Sequence, residues 1–208
     1  MGVIKAVITG DIVNSSSIQG PDRTQLLALM RSTATRISES IPMEIDFFRG
    51  DSFQILTDAV SSCMKIAILF RANLRAHTPE TSVSMWDARV AVGIGPTHYE
   101  SSAVSTSDGE AFVLSGRGLD NMGKRRLVVS SPWKEVNDEL SVSTSFADEI
   151  ITSWSRAQAK ISFISLISRE TQKEIAIQIG KTPQNVNKTL IAAKENLISG
   201  YLRRCEEL

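Results

Sequence analysis

The run Val3-Ile4-Lys5-Ala6-Val7-Ile8-Thr9 constrains this chain more than any other segment. It is rich in β-branched residues yet hardly alternates between apolar and polar, so the strand it predicts must be covered on both faces and belongs in the middle of a sheet. It ends at Gly10-Asp11, residues that favour a turn. With 208 residues, 42% of them hydrophobic, the chain can bury a core as one domain or as one domain with a small appendage. The same composition excludes disorder, collagen and coiled coil. The longest apolar runs, such as Ile66-Ala67-Ile68-Leu69-Phe70, are far short of the roughly 20 residues that span a bilayer. The start, Met1 to Ala6, leads straight into the strand pattern and does not read as a signal peptide. A soluble, cytoplasmic protein without a membrane partner is expected. Cys63 and Cys205 make no framework of bridges or metal-ligand pairs, which suits a reducing compartment.

The order of elements points to an architecture. Leu26, Leu27, Met30, Ile37 and Ile41 recur at helical spacing between Pro21 and Pro42. Met43–Phe48 and Ser52–Thr57 read as two strands joined by Arg49-Gly50-Asp51, a hairpin turn. Val60, Met64, Ala67, Phe70, Arg71 and Leu74 predict a second helix over Ala59–Ala76, and Ala88–Gly95 a further strand. The order β-α-β-β-α-β is the split β-α-β arrangement, an antiparallel sheet with its helices on one face. A polar loop (Thr97–Ser107), a helix (Gly109–Met122) and a strand (Arg125–Ser130) follow, and helices dominate from there on. The fold class is α+β: a ferredoxin-like domain over 1–131, a helical connector over 132–167 and an all-α segment over 168–208.

Two aspartates stand at the ends of predicted strands, Asp11 after the first and Asp51 in the hairpin turn. In a split β-α-β sheet the first strand lies beside the hairpin, so both carboxylates can converge on one point. Such a pair suits Mg²⁺ or Mn²⁺, which keep several waters and complete their coordination with nucleotide phosphates; Ile12, next to Asp11, is included in the candidate metal set. The polar turn from Ile12 to Ser17 offers backbone N–H groups to those phosphates. Asp at strand ends equally serves as a turn or cap residue, and both uses fit here.

These segments resemble class III adenylate and guanylate cyclases. Ile8-Thr9-Gly10-Asp11-Ile12-Val13-Asn14-Ser15 is similar to their first metal-binding strand end, and Gly50-Asp51-Ser52-Phe53 to their hairpin. Ala91-Val92-Gly93-Ile94-Gly95-Pro96 resembles their Gly-Ile-His-x-Gly-Pro strand, and Gly109 to Leu119 their late helix bearing Asn and Arg. The likeness covers about residues 3 to 130. Gly-Asp-Ile-Val-Asn-Ser, Gly-Asp-Ser-Phe-Gln and the chain length resemble, more closely, the bacterial SatD family. The resemblance implies metal ligation by Asp11 and Asp51, nucleotide contacts from Asn14, Ser15, Ser16, Phe47 and Arg49, and Arg117 as the catalytic cation. It also implies a homodimer. The chain departs from the cyclase pattern at Val113, where the ribose-orienting Asn would stand, and at Phe47, where adenylate cyclases carry a purine-reading Lys. Arg117 fits a surface ion pair as well as a catalytic role.

Charge is uneven although the net is zero. From Arg156 onward nine Lys and Arg face five Asp and Glu, against fourteen and eighteen before it. The basic tail contains Thr171-Gln172-Lys173-Glu174, a capping box opening a short helix with Ile175, Ala176 and Ile179 inward. Gly180 follows in a turn, and Pro183 opens a second helix with Val186, Leu190 and Ala193 inward. A small residue where helices cross, a glycine in the turn and a branched anchor meet the steric needs of a helix-turn-helix. Gln172 to Ala193 resembles that motif in bacterial regulators and in the −35-reading region of sigma factors. Thr182, Gln184, Asn185, Asn187 and Lys188 then become candidates for DNA contacts. Helical hairpins packed the same way without touching DNA remain the plainer alternative.

Two expectations follow. One is a DNA-binding transcriptional regulator whose cyclase-like domain binds metal and a nucleoside triphosphate or other nucleotide, as sensor or dimerisation module. The other is a divergent metal-dependent nucleotidyl cyclase with a regulatory appendage.

Overall fold

A computed structural model describes residues 2–99, 104, 108–168 and 170–208. Strand β1 (Val3–Ile12) lies between β3 (Ser52–Thr57) and β4 (Ala88–Tyr99), antiparallel to both, and β2 (Glu44–Phe48) pairs outside β3. The order β2-β3-β1-β4 is that of the split β-α-β unit. Helices α1 (Gly20–Ser38) and α2 (Cys63–Ala76) provide its two crossovers. Short β5 (Asp108–Gly109) borders β4 antiparallel, and β6 (Leu127–Ser130) joins β4 parallel through Val90↔Leu127 to Gly93↔Ser130.

The central strand is covered on both sides, as its lack of alternation requires. Ala6, Ile8 and Ile12 enter the main core with Met64, Phe70 and Leu74 of α2. Val7 packs against Ala111 of α3 (Glu110–Asn121), and Thr9 Oγ1 lies 2.9 Å from Ser115 Oγ of that helix. Helices α1 and α2 of the split unit share one face, as expected, and α3, which follows the unit in the chain, covers the other. Gly93 makes this possible, because a Cβ there would stand 2.2 Å from the Ala111 carbonyl oxygen and 2.6 Å from the Ser115 nitrogen. Part of the loop expected over 97–107 falls outside the described residues; Thr97 to Tyr99 continue β4.

Almost every residue of α2 is buried, because α5 (Arg156–Ile167) covers the side turned away from the sheet. Helix α4 (Lys134–Ser153) precedes it, and α6 (Gln172–Ile179), α7 (Pro183–Ala192) and α8 (Glu195–Glu207) follow. One apolar core runs from Ala6 through Phe163, Val186 and Leu190 to Leu202. Buried Trp154 donates its indole N–H to the Ala193 carbonyl at 2.7 Å and pins α7 to the end of α4. Cys63 is buried and Cys205 half-buried, both as free thiols. Among the described residues no helix is long and apolar enough to cross a membrane.

Arg71, expected within an apolar stripe, is instead the centre of a buried ionic knot. Its Nε and one terminal nitrogen each donate to Asp87 at 2.9 Å, and its other terminal nitrogen donates to Asp148 at 2.7 Å. Arg75 and Arg126 add further bonds to Asp87, each 2.9 Å. Asp87 thus ties α2 and the start of β6 to the root of β4, and Arg71 extends the knot to α4 through Asp148.

Candidate functional site

Strand β1 does not end at Gly10-Asp11 as expected but continues to Ile12, so Asp11 lies inside the sheet edge with Ser52 on one side and Arg89 on the other. Ile12 is buried and gives its N–H to the Asp51 carbonyl at 2.9 Å. The register thereby brings Asp11 and Asp51 to the same edge, one from β1 and one from the hairpin tip.

Their carboxylates have different partners. Asp51 accepts from Ser15 Oγ at 2.6 Å, which folds the turn after β1 over the hairpin. Arg23 of α1 reaches the same place: one guanidinium nitrogen donates to the Ser15 carbonyl at 3.4 Å, and another lies 3.3 Å from where a Cβ on Gly50 would be. Asp11 is held on both oxygens by Arg89, through Nε at 2.9 Å to Oδ1 and through a terminal nitrogen to Oδ2. This bidentate bond, with the nearby charges of Asp11 and Asp120, raises the Arg89 pKa against a lesser opposing effect of burial.

Of the other expected nucleotide contacts, Asn14 and Arg49 are exposed and adopt left-handed backbone, at φ 53° and 55°, on either side of the Asp51 edge. Ser15 to Ser17 form one 3₁₀ turn, with Ser16 exposed. Phe47 is half-buried on β2, and the Arg31 guanidinium lies over its ring, 5.1 Å from the centroid. Arg117 is exposed on α3 and makes no contact with Asp11 or Asp51 among the described residues. It lines a separate cavity of about 350 Å³ between α3, β6 and α4, with Asn121, Arg125 and Ser141.

As arranged, these residues do not fit a divalent ion. Asp11 has both oxygens on a guanidinium, and among the described residues no group of three or more His, Cys, Asp or Glu gathers at one point. Arg23, Arg89 and Asp120 escaped sequence reasoning, because cross-strand register decides which charges meet and register is invisible before the strands are paired. An Arg opening an otherwise apolar strand was the one available sign.

The second candidate surface is the α6–α7 hairpin. Thr171 caps α6, accepting from the Glu174 N–H, while Glu174 accepts the Thr171 N–H in return at 2.7 Å. Gly180 ends the helix in left-handed backbone at φ 66°, and the next residue returns its N–H to the Ala176 carbonyl at 2.9 Å, which closes the helix end. Thr182 caps α7 by accepting from the Asn185 N–H at 3.2 Å, and Pro183 takes the first turn. Ile175, Ala176, Val186 and Leu190 are buried, whereas Thr182, Gln184, Asn185, Asn187 and Lys188 are all exposed. Gln172 at the head of α6 donates to Asn187 of α7 at 3.3 Å, which links the outer sides of the two helices.

No family model and no curated protein matches the chain. Among solved structures the chain is similar to a bacterial light-regulated adenylyl cyclase, at 17% identity over 62% of this chain and 77% of that one, with a TM-score of 0.47. It is also similar to the active GGEEF domain of a diguanylate cyclase from Vibrio cholerae, at 15% identity over 63% and 84%, TM-score 0.43. The guanylyl cyclase Cya2 is similar at 19% identity over 58% and 72%, TM-score 0.41.

Proposed function

We propose that this chain is a DNA-binding regulator, related to the SatD family, whose cyclase-like portion (1–131) binds a nucleotide and whose C-terminal hairpin (168–208) reads DNA. The observation that carries this reading is the α6–α7 unit, in which every polar residue singled out for DNA contact is exposed while the anchors beneath it are buried. A helix N-terminus bearing Gln184, Asn185 and Asn187 offers amide pairs suited to adenine edges, and Lys188 a cation for guanine or phosphate. The excess of Lys and Arg from Arg156 onward adds sequence-independent attraction to the phosphate backbone. A two-fold homodimer would present two such helices to half-sites about one helical turn apart. At the sheet edge, the Ser15–Ser17 turn with Arg23 and Arg49 supplies hydroxyls, N–H groups and positive charge for nucleotide phosphates.

The test is selection of binding sequences from random duplex DNA, followed by gel retardation with the full chain. Gln184→Ala together with Lys188→Ala should abolish the retarded band while the melting temperature stays unchanged. A double variant that binds as the wild type does would sink the reading.

A second reading is a divergent nucleotidyl cyclase, for which Asp11, Asp51 and Ile12 would have to hold Mg²⁺ or Mn²⁺ in an arrangement other than this one, with Asp11 released from Arg89, and Arg117 would act on the phosphates. The meeting of Asp11 and Asp51 at one edge favours it. Incubation with Mn²⁺ and each of the four nucleoside triphosphates separates the two: a cyclic product that Asp11→Asn abolishes speaks for the enzyme.

A further inference from the structure

We infer that the recess where α1, α2, α5 and α6 meet binds a small dianion that carries its own hydroxyl group, the chemistry shared by monohydrogen phosphate and short hydroxydicarboxylates. The recess holds about 230 Å³, less than the roughly 300–1,000 Å³ of sites for drug-sized ligands. Arg36 of α1, Lys160 of α5, His77 at the end of α2 and Gln178 of α6 line it, and among the described residues no Asp or Glu does. Neither Arg36 nor Lys160 forms an ion pair among the described residues. Two cations around so small a space are matched by two negative charges on what fills it. The Arg36 guanidinium lies over the Phe163 ring, 4.9 Å from its centroid. That contact steadies the group and leaves its N–H fork for an oxyanion.

The need for a hydroxyl comes from Asn73 of α2, which lines the recess and is buried, at 4% exposure. Thr33 gives its hydroxyl hydrogen to the Leu29 carbonyl at 2.6 Å, so toward Asn73 it can only accept, and Asn73 Nδ2 donates to it at 2.7 Å. This fixes which way the amide points. Thr33 does not line the recess, so the free end of the amide, Oδ1, is the end turned to it, and Oδ1 has no protein donor. A buried acceptor left without a donor costs free energy that a ligand hydroxyl recovers. The same residue's backbone carbonyl accepts from His77 Nδ1 at 2.9 Å, which secures the imidazole beside the amide. Arg36, His77, Lys160 and Gln178 are all exposed side chains, so they can shift to let a donor reach Oδ1 without opening the core. A dianion without a hydroxyl would satisfy the cations and leave Oδ1 unpaired; a hydroxylated one satisfies both.

The experiment titrates the full chain by calorimetry, at slightly alkaline pH in a buffer free of other oxyanions, with two matched pairs of probes. Malate and succinate differ by one hydroxyl, as do monohydrogen phosphate and sulfate in donor capacity. The hydroxylated member of one pair should bind about 10-fold more tightly than its partner, and the pair that shows this names the source as carboxylate or phosphate. Arg36→Gln and Lys160→Gln, both at exposed positions, should each weaken the preferred probe about 10-fold. Arg36→Lys keeps the charge without the fork and should weaken it less. Equal affinity within both pairs overturns the role given to Asn73 and the ligand class with it. Binding that both glutamine variants leave unchanged puts the probe elsewhere on the molecule and overturns the site. Millimolar probe that gives neither heat nor a raised melting temperature, for all four, overturns it as well.

Discussion

Asp87 and Arg89 are two residues apart at the root of β4, yet they belong to opposite kinds of ion pair. Asp87 is fully buried and accepts from Arg71, Arg75, Arg126 and the Ala88 N–H. Arg89 and Asp11 form a two-member pair among the described residues, and both are reached by solvent. Charge alone does not distinguish them; burial and the number of partners do. A buried charge that loses its partners cannot recruit water, so the knot is committed to holding helices against the sheet. A half-exposed pair can trade one partner for another at small cost.

The contrast is broken most forcefully at Asp87. Asp87→Asn leaves three guanidiniums facing a neutral amide and should cost about 3–5 kcal/mol. The measurement is urea unfolding followed by circular dichroism, and a loss below about 1 kcal/mol would place the knot in the same class as the exposed pair.

Acid provides the next test. Burial opposes ionisation of Asp87, but Arg71, then Arg75 and Arg126, hold its pKa down at about 2. Arg75 itself is lowered, because burial and its like-charged neighbours Arg71 and Arg126 outweigh its share of Asp87. A carboxylate depressed in the folded state stabilises above its unfolded pKa of about 3.9 and loses that contribution as pH falls toward 2. The wild type should thus lose on the order of 2 kcal/mol between roughly pH 4 and pH 2 from this group, and Asp87→Asn should lack that component of the slope.

A smaller effect is expected in the hairpin, which draws on neither ionic centre. Gly180→Ala forces an L side chain into left-handed backbone and should cost about 1 kcal/mol, read by the same unfolding curve, with no change in the response to acid.

What could be read in the sequence follows the same division between local and long-range causes. The strands, the helices and the split β-α-β order were legible because apolar spacing and turn residues such as Arg49-Gly50-Asp51 act within a few positions. So were the caps at Thr171, Gly180 and Thr182, where each signal and its effect lie within one helical turn. The second face of the sheet was only half legible. Val3–Thr9 demanded cover on both sides, but nothing in α3 announced that Gly93 would admit it so closely. Arg71 was misread because, at helical spacing, a buried guanidinium occupies the same stripe as Phe70 and Leu74; its partners Asp87 and Asp148 lie 16 and 77 residues away. Arg89 was missed for the same reason, since its partner is 78 residues distant and defined only by register.

The smallest effect sharpens the comparison furthest. Arg89→Met removes an ion pair whose two side chains are 41% and 25% exposed, so solvent already screens what it contributes, and the loss in stability should stay under about 1 kcal/mol. Raising the salt from about 0.15 M to 1 M shortens the screening length from about 8 Å to 3 Å, which should shrink this small difference further. The Asp87→Asn penalty arises where counter-ions do not penetrate and should persist. Unfolding free energies of both variants at the two salt concentrations provide the check: a penalty at Arg89 that is large and indifferent to salt would make Asp11–Arg89 a second structural knot.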